Sequence, residues 1–273
     1  MTIRVPLMRG ALCAALLVLL ALPLPRLANA ASHPPEEGRL LTLSYSIALG
    51  GFHVGAANIE ARLADGAYDM EGRLKTDGFI ERFFKAVYEL ESEGGVEESQ
   101  LRPARFRSLT LEPDRRREVV LRYGKDGLAR MQAEPPYEDG YGPGLFTSHR
   151  KDTLDPLSAL LLPIAEGADP CRRMLPVFDG RRRYDLRMSP DGETAKARIG
   201  SYQGKLTRCK ITVIPRGGER KAVLEALKRE DSIRVWLAPA DDGRIWVPLR
   251  ITLRTPLGSA VALATDFQTA KAK

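Results

Sequence analysis

The chain has 273 residues and carries 42 Lys and Arg against 35 Asp and Glu, a formal net charge of +7. Its first thirty residues hold three arginines and no acid, so a chain processed there keeps a surplus of only +4. A surplus that small keeps a domain soluble and leaves no electrostatic footprint for nucleic acid.

Arg4 and Arg9 precede an apolar run from Ala11 to Leu24 that Pro23 and Pro25 break, and Ala28-Asn29-Ala30 supplies a small-x-small cleavage pattern. Residues 1–30 therefore read as a secretory signal peptide cleaved after Ala30. The run is shorter than the roughly 20 residues a spanning helix needs, so no integral membrane segment is expected after cleavage. Cys13 lies inside the run behind Gly10-Ala11-Leu12, which is not the arrangement lipoprotein processing reads. Residues 31–38, ASHPPEEG, are polar and proline-bearing and read as a disordered leader.

From Leu41 to Leu49 the odd positions are apolar or aromatic, and the even ones are Thr42, Ser44, Ser46 and Ala48. That is the period of a half-buried strand. Gly50-Gly51 turns the chain, Ala57, Ile59, Ala61 and Leu63 continue the pattern, and Asp65-Gly66 turns it again before Tyr68, Met70 and Leu74. Further strands are predicted at Val87 to Val96, Leu101 to Leu111, Glu118 to Tyr123 and Leu128 to Ala133, giving a hairpin meander over residues 39–149. Two apolar segments interrupt it. Phe79, Ile80, Phe83 and Phe84 have helical spacing, while Tyr137, Tyr141, Leu145 and Phe146 lie on a long loop. They either line a cavity for an acyl chain or other apolar ligand, or simply close the core.

Residues 150–170 form a helix and linker. Asp155 suits an N-cap and Pro156 the first helical position, and Leu157, Leu160, Leu161 and Ile164 fall at helical spacing, so a central helix is expected over Pro156 to Glu166. A second hairpin set spans residues 171–268. It holds a strand ending at Phe178, Asp179-Gly180 as a primed two-residue turn, and strands at Arg182 to Met188, Ala195 to Tyr202 and Lys205 to Ile214. A stretch around Ala222 to Arg229 is compatible with a helix. Strands around Val235, Val247 and Leu263 complete the set, and Pro248 marks an edge or a bulge. Regular turns without βαβ alternation predict one all-β, mainly antiparallel domain over residues 39–268. Its sheet curls into a barrel or half-barrel built from hairpins, with one central helix and minor helical segments. A lipid-facing outer-membrane barrel would alternate in the same way, but an aromatic content of 7% leaves little for interfacial girdles and the chain ends in the polar QTAKAK.

After processing, Cys171 and Cys209 remain, an even pair in an exported chain. A bond between them would close a loop of about 38 residues, worth roughly 4 kcal/mol in the chain-entropy description; the alternative is two buried thiols that never meet. His33, His53 and His149 form no HxH or HExxH cluster, so no metal is expected. No GxSxG elbow or Walker loop occurs, and Pro143 makes DGYGPG a loop rather than a phosphate cradle. No catalytic residue or cofactor is assigned. The triplets Arg115 to Arg117 and Arg181 to Arg183 read as solvated hairpin ends or as contacts for anionic headgroups.

DPLSALL, the following PC, LPVFDGRRRYDL, the Tyr202-Gln203-Gly204 to Cys209 segment and the early LSYSIALGGFHVGAANI together resemble the exported bacterial family catalogued as domain of unknown function 3108, over about residues 39–268. The resemblance implies an all-β periplasmic protein of Gram-negative bacteria without established activity, and it supplies no catalytic residues. Looser analogy to half-barrel carriers suggests a non-enzymatic protein that binds or carries lipid. Two other readings stand beside it: an envelope scaffold acting through a protein partner, for instance by strand addition, and an enzyme on cell-wall or polysaccharide material.

Overall fold

Fifteen strands follow one another along the chain in this computed structural model, which describes residues 38–271 except 65, 138–143, 193–194, 201, 219–232 and 256–257. The expected signal peptide and leader, and the stretch Ala222 to Arg229, lie outside the described residues. The first set is β1 (Arg39–Leu49), β2 (Phe52–Ala64), β3 (Ala67–Thr76), β4 (Val87–Glu97), β5 (Gln100–Glu112), β6 (Arg115–Tyr123) and β7 (Ala129–Glu134). The second is β8 (Leu162–Pro163), β9 (Met174–Phe178), β10 (Arg183–Pro190), β11 (Ala195–Ile199), β12 (Tyr202–Gly217), β13 (Ile233–Ala240), β14 (Ile245–Thr255) and β15 (Gly258–Lys271).

All named strands pair antiparallel, in the order β7-β6-β5-β4-β3-β2-β1-β15-β14-β13-β12-β10-β9, with β11 on β12 and β8 on β14. The two meanders are joined by β1 and β15, which pair from Arg39 opposite Lys271 to Leu49 opposite Ala260. Alternation decides the faces. Leu41, Leu43 and Tyr45, then Tyr68 and Met70, are buried inside, while Asp69, Glu71 and Arg73 stand exposed outside. A charged outer face suits water rather than lipid. Pro248 sits opposite a register shift at Trp236/Leu237, and its carbonyl accepts a 2.5 Å hydrogen bond from the buried Tyr45 hydroxyl.

The expected central helix is absent. Only a 3-10 turn at Ser158–Leu160 forms, and Leu161 is already extended (φ −106°, ψ 113°) before β8 pairs with Ile245 and Trp246. Proline is the reason: Pro163 has no N–H to continue a helix and disfavours helical geometry at Leu162. Asp155 still caps the turn, its Oδ1 accepting from the N–H groups of Leu157 and Ser158 at 2.9 Å each. Gly72 makes room for the turn, since a Cβ there would lie 3.2 Å from Leu157 Cδ1. The Asp179-Gly180 turn also differs from expectation. Phe178 pairs with Arg183, leaving a four-residue loop in which Asp179 Oδ1 accepts from the N–H groups of Arg181 (2.9 Å) and Arg182 (2.7 Å).

The sheet is open, with β7 and β9 at its edges, and residues 151–154 run between them. The Asp152 N–H donates to Gly127 O at 2.9 Å, the Leu154 N–H to Pro176 O at 2.7 Å, and the Phe178 N–H to Leu154 O at 2.9 Å. The β9–β10 loop completes the curl. Gly180 (φ +97°) presses so close to β6 that a Cβ would meet Val119 Cγ1 at 2.8 Å. Tyr137 lies between the Arg117 and Arg181 guanidiniums at 4.4 and 4.5 Å, and Arg182 pairs with Asp179 at 2.8 Å. Local stacking and pairing thus engage much of the arginine-rich hairpin ends.

Cys171 and Cys209 form a disulfide, both fully buried, with Cα atoms 5.3 Å apart. It ties the segment ahead of β9 to β12. One core cluster, containing Phe106, Phe178, Phe267, Leu157 and Leu161, fills the curl of β1–β7 and β13–β15. Only about 10 Å³ stays free beneath Leu41, Leu43 and Tyr45. A second cluster surrounds the disulfide, Met188 and Val235.

Candidate functional site

The second cluster is incompletely filled. A groove of about 200 Å³ runs over β9, β10, β12, β13 and β14 beneath Pro156, Ala159 and Leu160, with a lining that is almost wholly apolar. Alternation sends Tyr184, Leu186 and Met188 of β10 to one face, where they meet Ile211, Ile233 and Ile251 from the neighbouring strands. Apart from Met188, these side chains are only half-buried, unlike their counterparts in the filled core. The proline-broken linker is what leaves the space: a three-residue turn covers less of the sheet than a full helix would.

A second cavity, of about 820 Å³, opens at the seam of the curl. Its walls are the β4–β5 turn, the β6–β7 loop, residues 151–154, β8 and the start of β9. Leu162 and Leu175 border both cavities, so groove and cleft share a wall. The cleft is polar. Glu97 pairs with Arg102 at 3.0 Å and Asp126 with Arg130 at 3.3 Å, whereas Lys125, Lys151 and Arg173 make no ion pair among the described residues. Asp152 is the lining carboxylate left unpaired among the described residues, against those three cations. Arg173 is half-buried and donates to Ser99 O at 2.7 Å and to Pro163 O, which ties the residue ahead of β9 to the β4–β5 turn and to β8. Burial lowers the pKa of its guanidinium from the ordinary value.

Two residues of the cleft lining, Tyr123 and Thr153, have their hydroxyls buried behind its surface. Each lies near the other, but neither makes a hydrogen bond of good geometry within the protein. Beyond them is a satisfied network. Ser92 Oγ donates to Asp155 Oδ2 at 2.7 Å and lies 3.3 Å from the Tyr68 hydroxyl, while Ser158 Oγ donates to Asp155 O at 3.1 Å. Burial raises the pKa of Asp155 despite these hydrogen bonds, and burial followed by the Asp155 charge raises those of Tyr68 and Tyr123.

A third constellation lies on the outer face. Ser46 Oγ is 3.0 Å from His53 Nδ1, and His53 Nε2 is 2.7 Å from Asp77 Oδ1. The residue types match a hydrolytic triad, but the ring nitrogens are used in the opposite sense. Neither cavity borders Ser46. A solvent-facing hydrogen-bonded strip across β1 and β2 accounts for it.

The segments expected to line a cavity are placed elsewhere. Phe79 (67% exposed) and Phe83 (74% exposed) pack on each other at 5.3 Å on the 3-10 turn Gly78–Arg82, beside the exposed Phe84 and half-buried Ile80. Phe146 is 67% exposed against His149, Leu145 lies against Gly217 of β12, and Tyr141 falls outside the described residues. None of the described members borders the groove or the cleft. Sequence reasoning missed Ser92, Tyr123, Thr153 and Arg173. One signal was present: Ser92 takes an inward position of β4 where the alternation calls for an apolar residue.

Residues 44–265 match the family described as Protein of unknown function (DUF3108). The chain belongs to that family. No curated protein matches the DUF3108 chain. Among solved structures, a β-barrel-like protein of domain of unknown function DUF1849 from Brucella abortus is similar at 11% identity, with 85% of this chain and 98% of that one covered and a TM-score of 0.49. A DUF1329 family protein from Desulfovibrio piger aligns at 8% identity over 86% of this chain and 84% of that one, with a TM-score of 0.19. Among the described residues no helix is long and apolar enough to cross a membrane, and no group of three or more His, Cys, Asp or Glu is placed to hold a metal ion.

Proposed function

We propose that this DUF3108 protein is an exported, non-enzymatic periplasmic binding protein that holds the apolar chain of a lipid in the groove over β9–β14. The observation that carries the reading is the groove itself: an apolar sheet face whose Tyr184, Leu186, Ile211, Ile233 and Ile251 are only half-buried, beside the filled first core cluster. At about 200 Å³ it is smaller than the roughly 300 to 1,000 Å³ typical of drug-sized ligand pockets, which favours a narrow chain over a ring system. The buried disulfide and the signal-peptide pattern of residues 1–30 support export. Strand addition to a protein partner has less support, because residues 151–154 already bridge to Val177 of β9 and to Leu128 just ahead of β7.

Native mass spectrometry of protein purified without detergent, together with displacement of a fluorescent fatty-acyl probe, tests the reading. Bound lipid or saturable probe binding is expected, weakened by Leu186→Asp in the groove. Ligand-free protein with no probe binding would remove it. An ester-hydrolysing activity abolished by Ser46→Ala would replace it with an enzymatic reading.

A further inference from the structure

The cleft at the seam carries more positive charge than the described residues pair. Guanidinium and ammonium groups withdrawn from water are ordinarily paired. Here Arg173 is half-buried with no carboxylate partner among the described residues. Arg173 spends two donors on the carbonyls of Ser99 and Pro163, which fixes its position and leaves further N–H groups unused. Lys125 and Lys151, both exposed, stand on the same cleft.

We infer that the cleft binds the phosphate head of an anionic lipid, with Arg173 as its donor and Lys125 and Lys151 steering it in. Leu162 and Leu175 line both cavities, which places this head site beside the groove. Three cations against the one carboxylate of Asp152, all unpaired among the described residues, leave a surplus that suits the roughly two negative charges of a phosphate monoester better than the single charge of a carboxylate. The inference rests on the groove holding a chain and adds which class of lipid is chosen.

The test uses the signal-cleaved chain, delipidated, and lipids short enough to stay monomeric in water. Binding of dihexanoyl phosphatidic acid, uncharged dihexanoylglycerol, octanoate and inorganic phosphate is measured calorimetrically. Phosphatidic acid is expected to bind at least about tenfold more tightly than dihexanoylglycerol, the scale of one charge-assisted hydrogen bond. Arg173→Gln should erase that ratio while leaving dihexanoylglycerol binding intact. Lys125→Gln with Lys151→Gln, both on exposed side chains that the fold does not need, should reduce the ratio and flatten its salt dependence. Equal affinity for the two lipids, or a ratio unchanged in both variants, overturns the inference. So does octanoate or inorganic phosphate binding as tightly as phosphatidic acid. Failure of the groove reading looks different: neither lipid binds at all.

Discussion

Removing the Cys171–Cys209 bond should destabilise the protein by about 4 kcal/mol, because the two cysteines are 38 residues apart in sequence and the crosslink withholds that loop's entropy from the unfolded chain. For a domain of this size each kcal/mol moves the melting temperature by roughly 2 to 4 °C, so a drop of about 8 to 16 °C is expected. Both sulfurs are fully buried, so reductant has to be added in denaturant and kept through refolding. Circular dichroism melts of oxidised protein, reduced protein and the Cys171→Ala/Cys209→Ala double variant measure the effect. Reduced protein keeps both sulfur atoms in the core, so it isolates the crosslink from the packing lost on truncation. Either single alanine variant should cost nearly as much as the double, since one substitution already breaks the bond. Melting temperatures within about 2 °C for oxidised and reduced protein would refute the entropic argument. Additive single losses would instead assign the effect to packing.

Asp155→Ala should cost more than about 2 kcal/mol, because two backbone N–H groups and Ser92 lose their acceptor in a buried site. Asp155→Asn should cost less. Since the folded pKa of Asp155 is raised, its stabilising contribution is complete below about pH 4 and is lost as pH rises through the folded value. The deficit of the Asn variant in urea melts should therefore shrink from pH 4 to pH 8, and a constant deficit would contradict the burial argument. Asp185 has the opposite sign. Burial pushes its pKa up, but Arg183 and Arg216, each at 2.6 Å, outweigh that and leave it lowered. Asp185→Asn should cost about 2 kcal/mol at neutral pH, discounted for the exposure of Arg216, and the cost should fade as pH drops below 4 through the folded pKa. Phe79→Ser with Phe83→Ser should change stability by no more than about 0.5 kcal/mol and leave probe binding in the groove unchanged; loss of probe binding would return these rings to the ligand site.

Most of the strands were legible because alternation is a local signal. Leu41 to Leu49 alternates with period two whatever it packs against, and Gly50-Gly51 stands beside it in sequence as Asp242-Gly243 stands between β13 and β14. The aromatic segments misled for the same reason. Helical spacing in GFIERFFKA marks a short turn, but spacing alone does not say whether its rings face a cavity or water.

By itself the sequence determined the antiparallel class, the order of the hairpins and the cysteines available to bond, and it narrowed Pro248 to an edge or a bulge. Tertiary structure decided the rest. Whether Asp155 begins a helix or only caps a turn depends on Pro163 and on Ser92, which is 63 residues away along the chain. The pairing of β1 with β15, the linker bridging from Leu128 to Val177, and the convergence of Tyr123, Thr153 and Arg173 on one cleft arise only when the sheet curls. Those residues come from separate strands and loops, and no periodicity along the chain records that they meet.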